Sequence, residues 1–326
     1  MSAASQLGAD DNEVSQRQGL LYAFAAYGIW GVAHIYFVWV GFAGPLEILM
    51  HRALWSVPLL VLLITATGQW SAARSLSRRE LLILLATALC LSTNWLTFIW
   101  AIQAQRIADA SLGYFINPLI NILLGWLFLR ERMRALQWFA VFVAFAGVSI
   151  ELWLQRSMPW LGLTLALSFG FYGLLRKQVK VPAAVGLWVE TTVMLPIALL
   201  FLVWLIGHEG LRPVAQVMQL ALGGLISVVP LVFFSAAALQ LPLATLGFVQ
   251  YLSPSCALLL AVFLFNEPVQ EARWVTFGFI WSALIIFTAE NVYDSRKPRR
   301  ALRSNGAYGK GAGPNFRWLG PEHRMD

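Results

Sequence analysis

The stretch Ala110–Leu129, ASLGYFINPLINILLGWLFL, decides the fold of this chain. It contains no charged side chain and ends against the charged run Arg130-Glu131-Arg132. A helix of about 20 apolar residues is long enough to cross ~30 Å of hydrocarbon. The stretch therefore predicts a transmembrane helix.

The composition of the whole chain is also typical of a membrane protein. Of its 326 residues, 59% are hydrophobic and 12% are charged, whereas a soluble domain carries about 25% charged residues. Cys90 and Cys256 lie inside apolar blocks, without the spacing of a metal site or a redox pair. We therefore expect neither a metal nor a cofactor. The polar residues 1–18 lack the pattern of a cleaved signal peptide, so the first apolar block is predicted to remain as an anchor.

Ten apolar blocks, bounded by charges, Pro or Gly, have about the length of a membrane span. The predicted spans are Gly19–Val40, Leu46–Thr67, Leu81–Gln103, Ala110–Leu129, Leu136–Leu154, Trp160–Leu175, Val185–Ile206, Val217–Leu239, Ala244–Phe265 and Trp274–Val292. The sixth span is short, so Arg176 and Lys177 at its end are predicted to snorkel toward the membrane surface. The sequence thus predicts an all-α membrane protein with ten transmembrane helices.

The positions of Lys and Arg predict which side of the membrane each connection faces. With the N-terminus inside, eighteen basic residues lie on the inner side, and Arg52 lies within the membrane. The outer connections then hold four: Arg106, Arg156, Arg212 and Arg273. Basic residues are retained on the cytoplasmic side, which predicts a multi-pass protein of the inner membrane with both termini cytoplasmic. The basic cluster after the last span is typical of a segment attracted to anionic lipid, and no nucleic-acid partner is expected.

An internal repeat divides the chain into two halves. ASLGY at 110–114 matches ATLGF at 244–248, Glu131 matches Glu267, and GIWG at 28–31 matches GFYG at 170–173. Five spans per half reverse the second half in the membrane, as in many secondary transporters. We therefore predict a cytoplasmic segment 1–18, a first repeat 19–154, an inverted second repeat 160–294 and a basic, disordered cytoplasmic tail 295–326.

Ionisable residues inside predicted spans are candidates for function, because a charge in lipid is costly. Glu47 and His51 are four residues apart and share a helix face, with Arg52 turned about 100° away. They are interpreted either as a proton-exchanging pair beside a cation that holds an anionic group, or as an ion-pair network with Arg52 snorkelling outward. Glu190 falls near the position of Glu47 in the repeat. The two acids are read as symmetry-related coupling groups, with helix capping or pairing to a cytoplasmic Arg or Lys as the alternative for Glu190.

Amide and aromatic residues near the middle of the spans complete the predicted solute pathway. Several lie beside prolines, where freed backbone carbonyls must face protein or a water-filled cavity. Interhelical hydrogen bonding and plain packing are the alternative roles. The full set of predicted pathway residues is Glu47, His51, Arg52, Asn94, Trp95, Tyr114, Asn117, Glu190, Gln250 and Tyr251.

Seven strings of this chain resemble the RarD group of EamA-type transporters, in the drug/metabolite transporter superfamily. They are WGVAHIYF, EILMHRALWS, NWLTFIWA, ASLGYFINPLINILLGWLFLRER, QWFAVFVAFAGV, ETTVMLP and LGFVQYLSPS, within residues 18 to 294. The resemblance implies a ten-helix inner-membrane transporter of inverted repeats. His34 stands where the family usually has Pro, and Ser227-Val228-Val229 replaces a Thr-rich stretch, so the resemblance does not extend to the substrate.

The residues and the resemblance together predict a secondary active transporter for a small metabolite or drug-like solute. Alternating access, with possible coupling to protons, is the expected mechanism, and the partners are the solute and the lipid bilayer. A membrane-embedded enzyme or lipid-handling protein that uses Glu47 and His51 as base and acid is one alternative. A passive channel is another. No P-loop or hydrolase motif is present in the sequence, so no catalytic residue is predicted.

Overall fold

The computed structural model describes residues 3–104, 107–155, 160–264, 274–290 and 293, and its regular structure there is helical throughout. The helices are α1 Ala3–Trp39, α2 Pro45–Ala66, α3 Trp70–Arg74, α4 Arg78–Gln103, α5 Ile107–Leu129, α6 Ala135–Gln155, α7 Trp160–Gln178, α8 Ala183–Glu209, α9 Val214–Gln240, α10 Leu243–Gln250, α11 Leu252–Phe263 and α12 Trp274–Glu290. Each predicted span corresponds to one helix, except that the ninth is divided into α10 and α11. The predicted all-α membrane fold is confirmed.

Seven of these described helical stretches are both long and apolar enough to cross a membrane. They are Val14–Trp39, Pro45–Ala66, Arg78–Phe98, Ala135–Leu154, Ala183–Glu209, Val214–Gln240 and Leu243–Leu260. Gly113–Leu129 and Trp274–Glu290 are shorter apolar helices. The protein is therefore a multi-pass membrane protein, as its composition indicates.

Several helix boundaries differ from the sequence prediction, those of α1 and α7 among them. Helix α1 begins at Ala3, so the polar N-terminal residues continue the first helix. Helix α7 extends to Gln178, beyond the predicted end at Leu175. The predicted snorkelling of Arg176 is wrong, because its side chain is fully buried. Polar partners inside the protein replace water around this guanidinium, and they are described below.

Several predicted features lie outside the described residues. They are the ends of the last two predicted spans at Phe265 and Val292, the side chain of His34, the basic residues Arg106, Arg156 and Arg273, Glu267, and the tail 295–326.

Contacts between connections distinguish the two ends of the bundle. At the Glu131 end, the Glu131 carboxylate accepts hydrogen bonds from the N–H groups of Leu243 and Ala244, at 2.8 and 3.0 Å. At the opposite end, the Glu47 end, Arg212 between α8 and α9 binds Glu47 at the start of α2. When successive spans alternate in direction, odd-numbered connections lie at one end and even-numbered connections at the other. Arg212 and Glu47 belong to the seventh and first connections, and Glu131 and Leu243 to the fourth and eighth, so both contacts agree with this arrangement.

The packing of the helices is paired across the two halves. In the repeat, α1 corresponds to α7, α4 to α9, and α5 to α10 with α11. Helix α1 packs on α9, and correspondingly α7 packs on α4. Helix α5 packs on α7, and correspondingly α11 packs on α1. Helix α2 also packs on its counterpart α8, and α5 on α10. Two halves related by a two-fold axis give this pattern. The repeat boundaries at 19–154 and 160–294 stay predictions.

The crossing of α5 and α10 depends on a glycine. A Cβ atom at Gly247 would lie 2.7 Å from the backbone oxygen of Pro118. We expect Gly247→Ala to destabilise the protein by about 1–3 kcal/mol, because a backbone atom must move to make room. Thermal unfolding of the purified protein measures this loss. Gly207→Ala on α8 is the control, since a Cβ there meets nothing within 4 Å. Equal melting temperatures for the two variants would contradict the prediction.

Candidate functional site

The start of α2 carries an ion pair that joins the two halves. Pro45 occupies the first turn of α2, where its missing N–H leaves no unpaired donor. In the same first turn, the Glu47 carboxylate accepts hydrogen bonds from Arg212 Nε and Nη2 at 2.9 and 2.8 Å. Arg212 also binds Glu209 at 3.2 Å. The Glu47 side chain is 4% exposed and the Arg212 side chain 30%, so this bidentate pair is shielded from water on its carboxylate side. Its hydrogen bonds raise the pKa of Arg212, which lies in the connection outside the spans.

His51 lies one turn further along the same face. Its Nδ1 atom accepts a hydrogen bond from Trp55 Nε1 at 3.3 Å, and its side chain is buried. The structure therefore places Glu47 and His51 near one another, as predicted, while the carboxylate itself is bound by Arg212.

Arg52 points away from this pair and into the bundle. Its Nε atom donates a hydrogen bond to Ser227 Oγ on α9 at 2.8 Å. Its guanidinium carbon lies 4.8 Å from the ring centroid of Trp95 on α4 and 5.6 Å from that of Phe37 on α1. The interpretation in which Arg52 snorkels outward is wrong, because contacts from three other helices hold it inside.

Aromatic side chains line the space around Arg52. Trp95 is 9% exposed, and the phenols of Tyr36 and Tyr114 are near enough to interact electrostatically with the guanidinium. The Tyr114 ring packs edge-on against Phe98 with 6.3 Å between centroids, and yet Tyr114 is 38% exposed. Tyr114 thus combines an electrostatic contact with Arg52 and a ring that is partly exposed.

Glu190 lies in a second buried network, at the Glu131 end of the bundle. Its carboxylate accepts hydrogen bonds from Thr87 Oγ1 at 2.8 Å and from the Tyr172 hydroxyl at 3.2 Å. Arg176 Nε is 3.9 Å away, and both charged side chains are 0% exposed. Arg176 also donates to Ser235 Oγ at 3.3 Å and to the carbonyl oxygens of Pro182 and Ala183.

The predicted amide residues make interhelical contacts. Asn94 Nδ2 donates to the Leu165 carbonyl oxygen at 2.9 Å and to Ser168 Oγ at 3.1 Å, which joins α4 to α7. Gln250 accepts a hydrogen bond of 2.7 Å from Asn121, which joins α10 to α5. These contacts are the packing role that the sequence left open as the alternative.

Asn117 and Tyr251 also lie near the crossing of α5 and α10. Tyr251 separates α10 from α11, and its hydroxyl donates to the Phe115 carbonyl oxygen at 3.2 Å. The Oδ1 atom of Asn117 is buried without a hydrogen-bond partner. The structure therefore separates the ten predicted residues into five places: the Glu47 and His51 face of α2, the Arg52 region with Trp95 and Tyr114, the Asn94 contact between α4 and α7, the Glu190 network, and this crossing.

Sequence reasoning missed several residues of these sites, among them Tyr36, Ser227 and Arg176. Tyr36 and Ser227 lie against Arg52, and Arg176 was assigned to the membrane surface. Arg176 lies 142 residues after His34, the same offset that relates Gly28 to Gly170. The repeat therefore held a signal that could have placed Arg176 inside the bundle.

Comparisons with known proteins agree with this architecture. Residues 17–152 match the EamA-like transporter family. The chain is 46% identical over 291 residues to an uncharacterized transporter of Vibrio cholerae, covering 87% of this chain and 96% of that protein. It is 43% identical over 287 residues to Protein RarD of Escherichia coli strain K12, covering 86% and 97%. A solved crystal structure with 17% sequence identity superposes with a TM-score of 0.68, over 84% of this chain and 98% of that one. The last likeness shows the fold alone.

Proposed function

The chain belongs to the EamA-like transporter family, as a RarD-type member, and on that premise we propose that it carries a small metabolite or drug-like solute across the inner membrane by alternating access. The relatives compared above are a transporter and a RarD protein, so transport rather than catalysis is the starting point. The enzyme alternative needs Glu47 as a free base, and the bidentate bond to Arg212 gives it no support.

The observation that carries this proposal is the position of Arg52. Its contacts come from α1 and α4 of the first half and from α9 of the second. A charged group between two inverted halves is where secondary transporters bind their solutes. Movement of one half against the other would change the access to this group without dismantling either half.

The two ends of the bundle are packed by different contacts. At the Glu131 end, Leu174, Leu241 and Leu243 are 0–3% exposed, and Glu131 binds the start of α10 across the boundary between the halves. Tyr114, nearer the Glu47 end, remains exposed. We infer that this conformation receives solute from the Glu47 end, and that Glu131 holds the other end closed.

The charge distribution supports the orientation of these ends. Arg130, Arg132, Arg134 and Lys177 lie in or beside the connections at the Glu131 end. Because basic connections are retained in the cytoplasm, we propose that this end is cytoplasmic, with both termini, and that the Glu47 end is periplasmic.

Transport can be tested without knowing the solute. Proteoliposomes are loaded with a small-molecule extract of bacterial cells and diluted, and mass spectrometry identifies the molecules that leave. We expect a defined set of solutes to leave faster than from liposomes that contain an unrelated membrane protein. If the two preparations release the same solutes at the same rates, the proposed function is wrong.

Coupling to protons is the finer part of this proposal. Glu47 and Glu190 each bind an arginine, so either acid would have to leave its partner during the cycle to take up a proton. If one of them does, Glu47→Gln or Glu190→Gln should flatten the pH dependence of release for the solutes found above. Both variants are compared with Glu290→Gln, a partly exposed acid at the surface. Unchanged pH profiles in both variants would exclude these acids as coupling groups.

A further inference from the structure

Resting on the proposed function, we propose that Arg52 binds the carboxylate of a small organic anion with a flat apolar body. The binding site consists of Arg52, Ser227, Phe37, Trp95 and Tyr114, hereafter the Arg52 site. Solutes of this class are those that the transporter would accept at the Arg52 site.

The charges inside the bundle leave Arg52 as the cation without a carboxylate. Glu47 is bound by Arg212 and Glu190 by Arg176. Among the described residues, no acidic side chain pairs with Arg52. A cation kept within a membrane bundle is costly unless it is paired. An anionic solute would supply the missing partner.

The guanidinium is held in position and its outer edge remains available. Its Nε atom is bound to Ser227, whose own hydroxyl donates to the Gly223 carbonyl oxygen at 2.6 Å. Its two terminal nitrogens form no hydrogen bond within the described part of the chain. They are also not among the buried atoms closed off from solvent, unlike Nη1 of Arg176. This edge has the planar geometry that binds carboxylates through two parallel hydrogen bonds.

Gly223 creates the space that Arg52 occupies. A Cβ atom at this position would lie 2.9 Å from Arg52 Cγ and 2.6 Å from the Tyr36 hydroxyl. The Tyr36 hydroxyl donates to the carbonyl oxygen of Leu220 at 3.3 Å, which holds its ring against α9. The arginine is therefore packed along its stem, while its two terminal nitrogens are not among the buried, unpaired atoms.

The lining indicates the rest of the solute. Phe37 and Trp95 contribute ring faces near the guanidinium, and Tyr114 contributes an exposed ring. Flat apolar groups pack well against such rings. A single cation favours one negative charge over two, and among the described residues no carboxylate that could bind an ammonium group of the same solute pairs with Arg52. Together these features favour a monocarboxylate over a dianion, a zwitterion or a cation.

Ligand-induced thermal stabilisation of the purified full-length protein tests this site. The probes are benzoate and phenylacetate, with benzamide, benzylamine, phenylalanine and phenylphosphonate as the neutral, cationic, zwitterionic and dianionic comparisons. We expect the two monocarboxylates to raise the melting temperature most. Arg52→Gln should weaken their binding by roughly tenfold or more, the size of a lost charged hydrogen bond.

Two further variants separate the effects of charge, of guanidinium geometry and of folding on benzoate binding. Arg52→Lys keeps the charge but loses the planar edge, so its binding should be intermediate. Arg134→Gln removes a half-exposed arginine at the other end and should bind benzoate like the unchanged protein. The site assignment is overturned if benzamide stabilises as strongly as benzoate, or if Arg52→Gln retains benzoate binding.

The extract experiment separates this inference from the proposed function. Release of monocarboxylates that Arg52→Gln abolishes would support both. Release of only neutral or cationic solutes, unchanged in Arg52→Gln, would refute the solute class and leave the transporter intact. Release of nothing would refute transport, even where benzoate still binds through Arg52.

Discussion

Replacement of Arg176 by methionine is expected to lower the yield of folded protein strongly. Arg176 and Glu190 are both fully buried, and the variant leaves the Glu190 carboxylate with only the hydroxyls of Thr87 and Tyr172. Removing one partner of a buried ion pair costs about 3–5 kcal/mol, while a native protein is stable by only about 5–15 kcal/mol. The measurement is the yield of monodisperse protein on size-exclusion chromatography, followed by thermal unfolding.

A second substitution distinguishes a lost charge partner from lost packing. In the double variant Arg176→Met with Glu190→Gln, no uncompensated charge remains, so we expect much of the stability to return. Arg134→Met, at an exposed ion pair, should be nearly neutral. If Arg176→Met melts at the same temperature as the unchanged protein, the buried pair does not stabilise the fold.

Replacement of Glu131 by glutamine is expected to open the Glu131 end. The carboxylate accepts two N–H hydrogen bonds from the start of α10 and lies 3.8 Å from Lys177 Nζ. It therefore compensates a helix N-terminus that belongs to the other half. Charge-assisted hydrogen bonds contribute about 1.5–3 kcal/mol each. Glutamine keeps one oxygen acceptor but loses the charge and the second acceptor, so we expect the equilibrium of the proposed alternating access to shift by roughly tenfold.

Cysteine labelling measures this shift. Leu243 is 0% exposed at the Glu131 end. It is replaced by cysteine in a background that lacks Cys90 and Cys256. We expect Glu131→Gln to raise its reaction rate with a membrane-impermeant thiosulfonate applied at the Glu131 end. For Tyr114→Cys, labelled from the Glu47 end, the rate should fall.

The matched control is Glu80→Gln at the same end of the bundle. The Glu80 carboxylate also binds a helix start, accepting from the Ser77 N–H at 2.9 Å and from its hydroxyl at 2.7 Å. Both partners belong to the same helix start, so this contact does not join the halves and labelling should stay unchanged. Equal labelling in Glu131→Gln and Glu80→Gln would exclude Glu131 as the closing contact. The repeat predicts that Glu267 plays the corresponding part at the opposite end.

The transmembrane architecture could be predicted because it follows from local composition. A span must be apolar over the thickness of the hydrocarbon, and this requirement acts on consecutive residues. Boundaries were less certain, because polar residues can continue a helix. Thus α1 begins at Ala3, and α7 includes Arg176, whose charge is compensated inside the protein.

The candidate site was predictable only in its residue types. An ionisable residue in an apolar block indicates a special role, and this singled out Glu47, Arg52 and Glu190. Their partners could not be predicted, since Arg212 is 165 residues from Glu47 and Thr87 is 103 residues from Glu190. The missed residues Tyr36, Ser227 and Arg176 acquire their importance from such distant contacts.

The sequence by itself determined that this chain is a helical, multi-pass membrane protein, with ten spans predicted, because the cost of exposing backbone and charge to lipid acts on each segment separately. Only the tertiary structure decided which buried charges are paired. Glu47 and Glu190 each bind an arginine, whereas Arg52 has none of the described carboxylates beside it. The physical reason is that an ion pair depends on distances of a few ångström between side chains on different helices, and helix packing alone sets those distances.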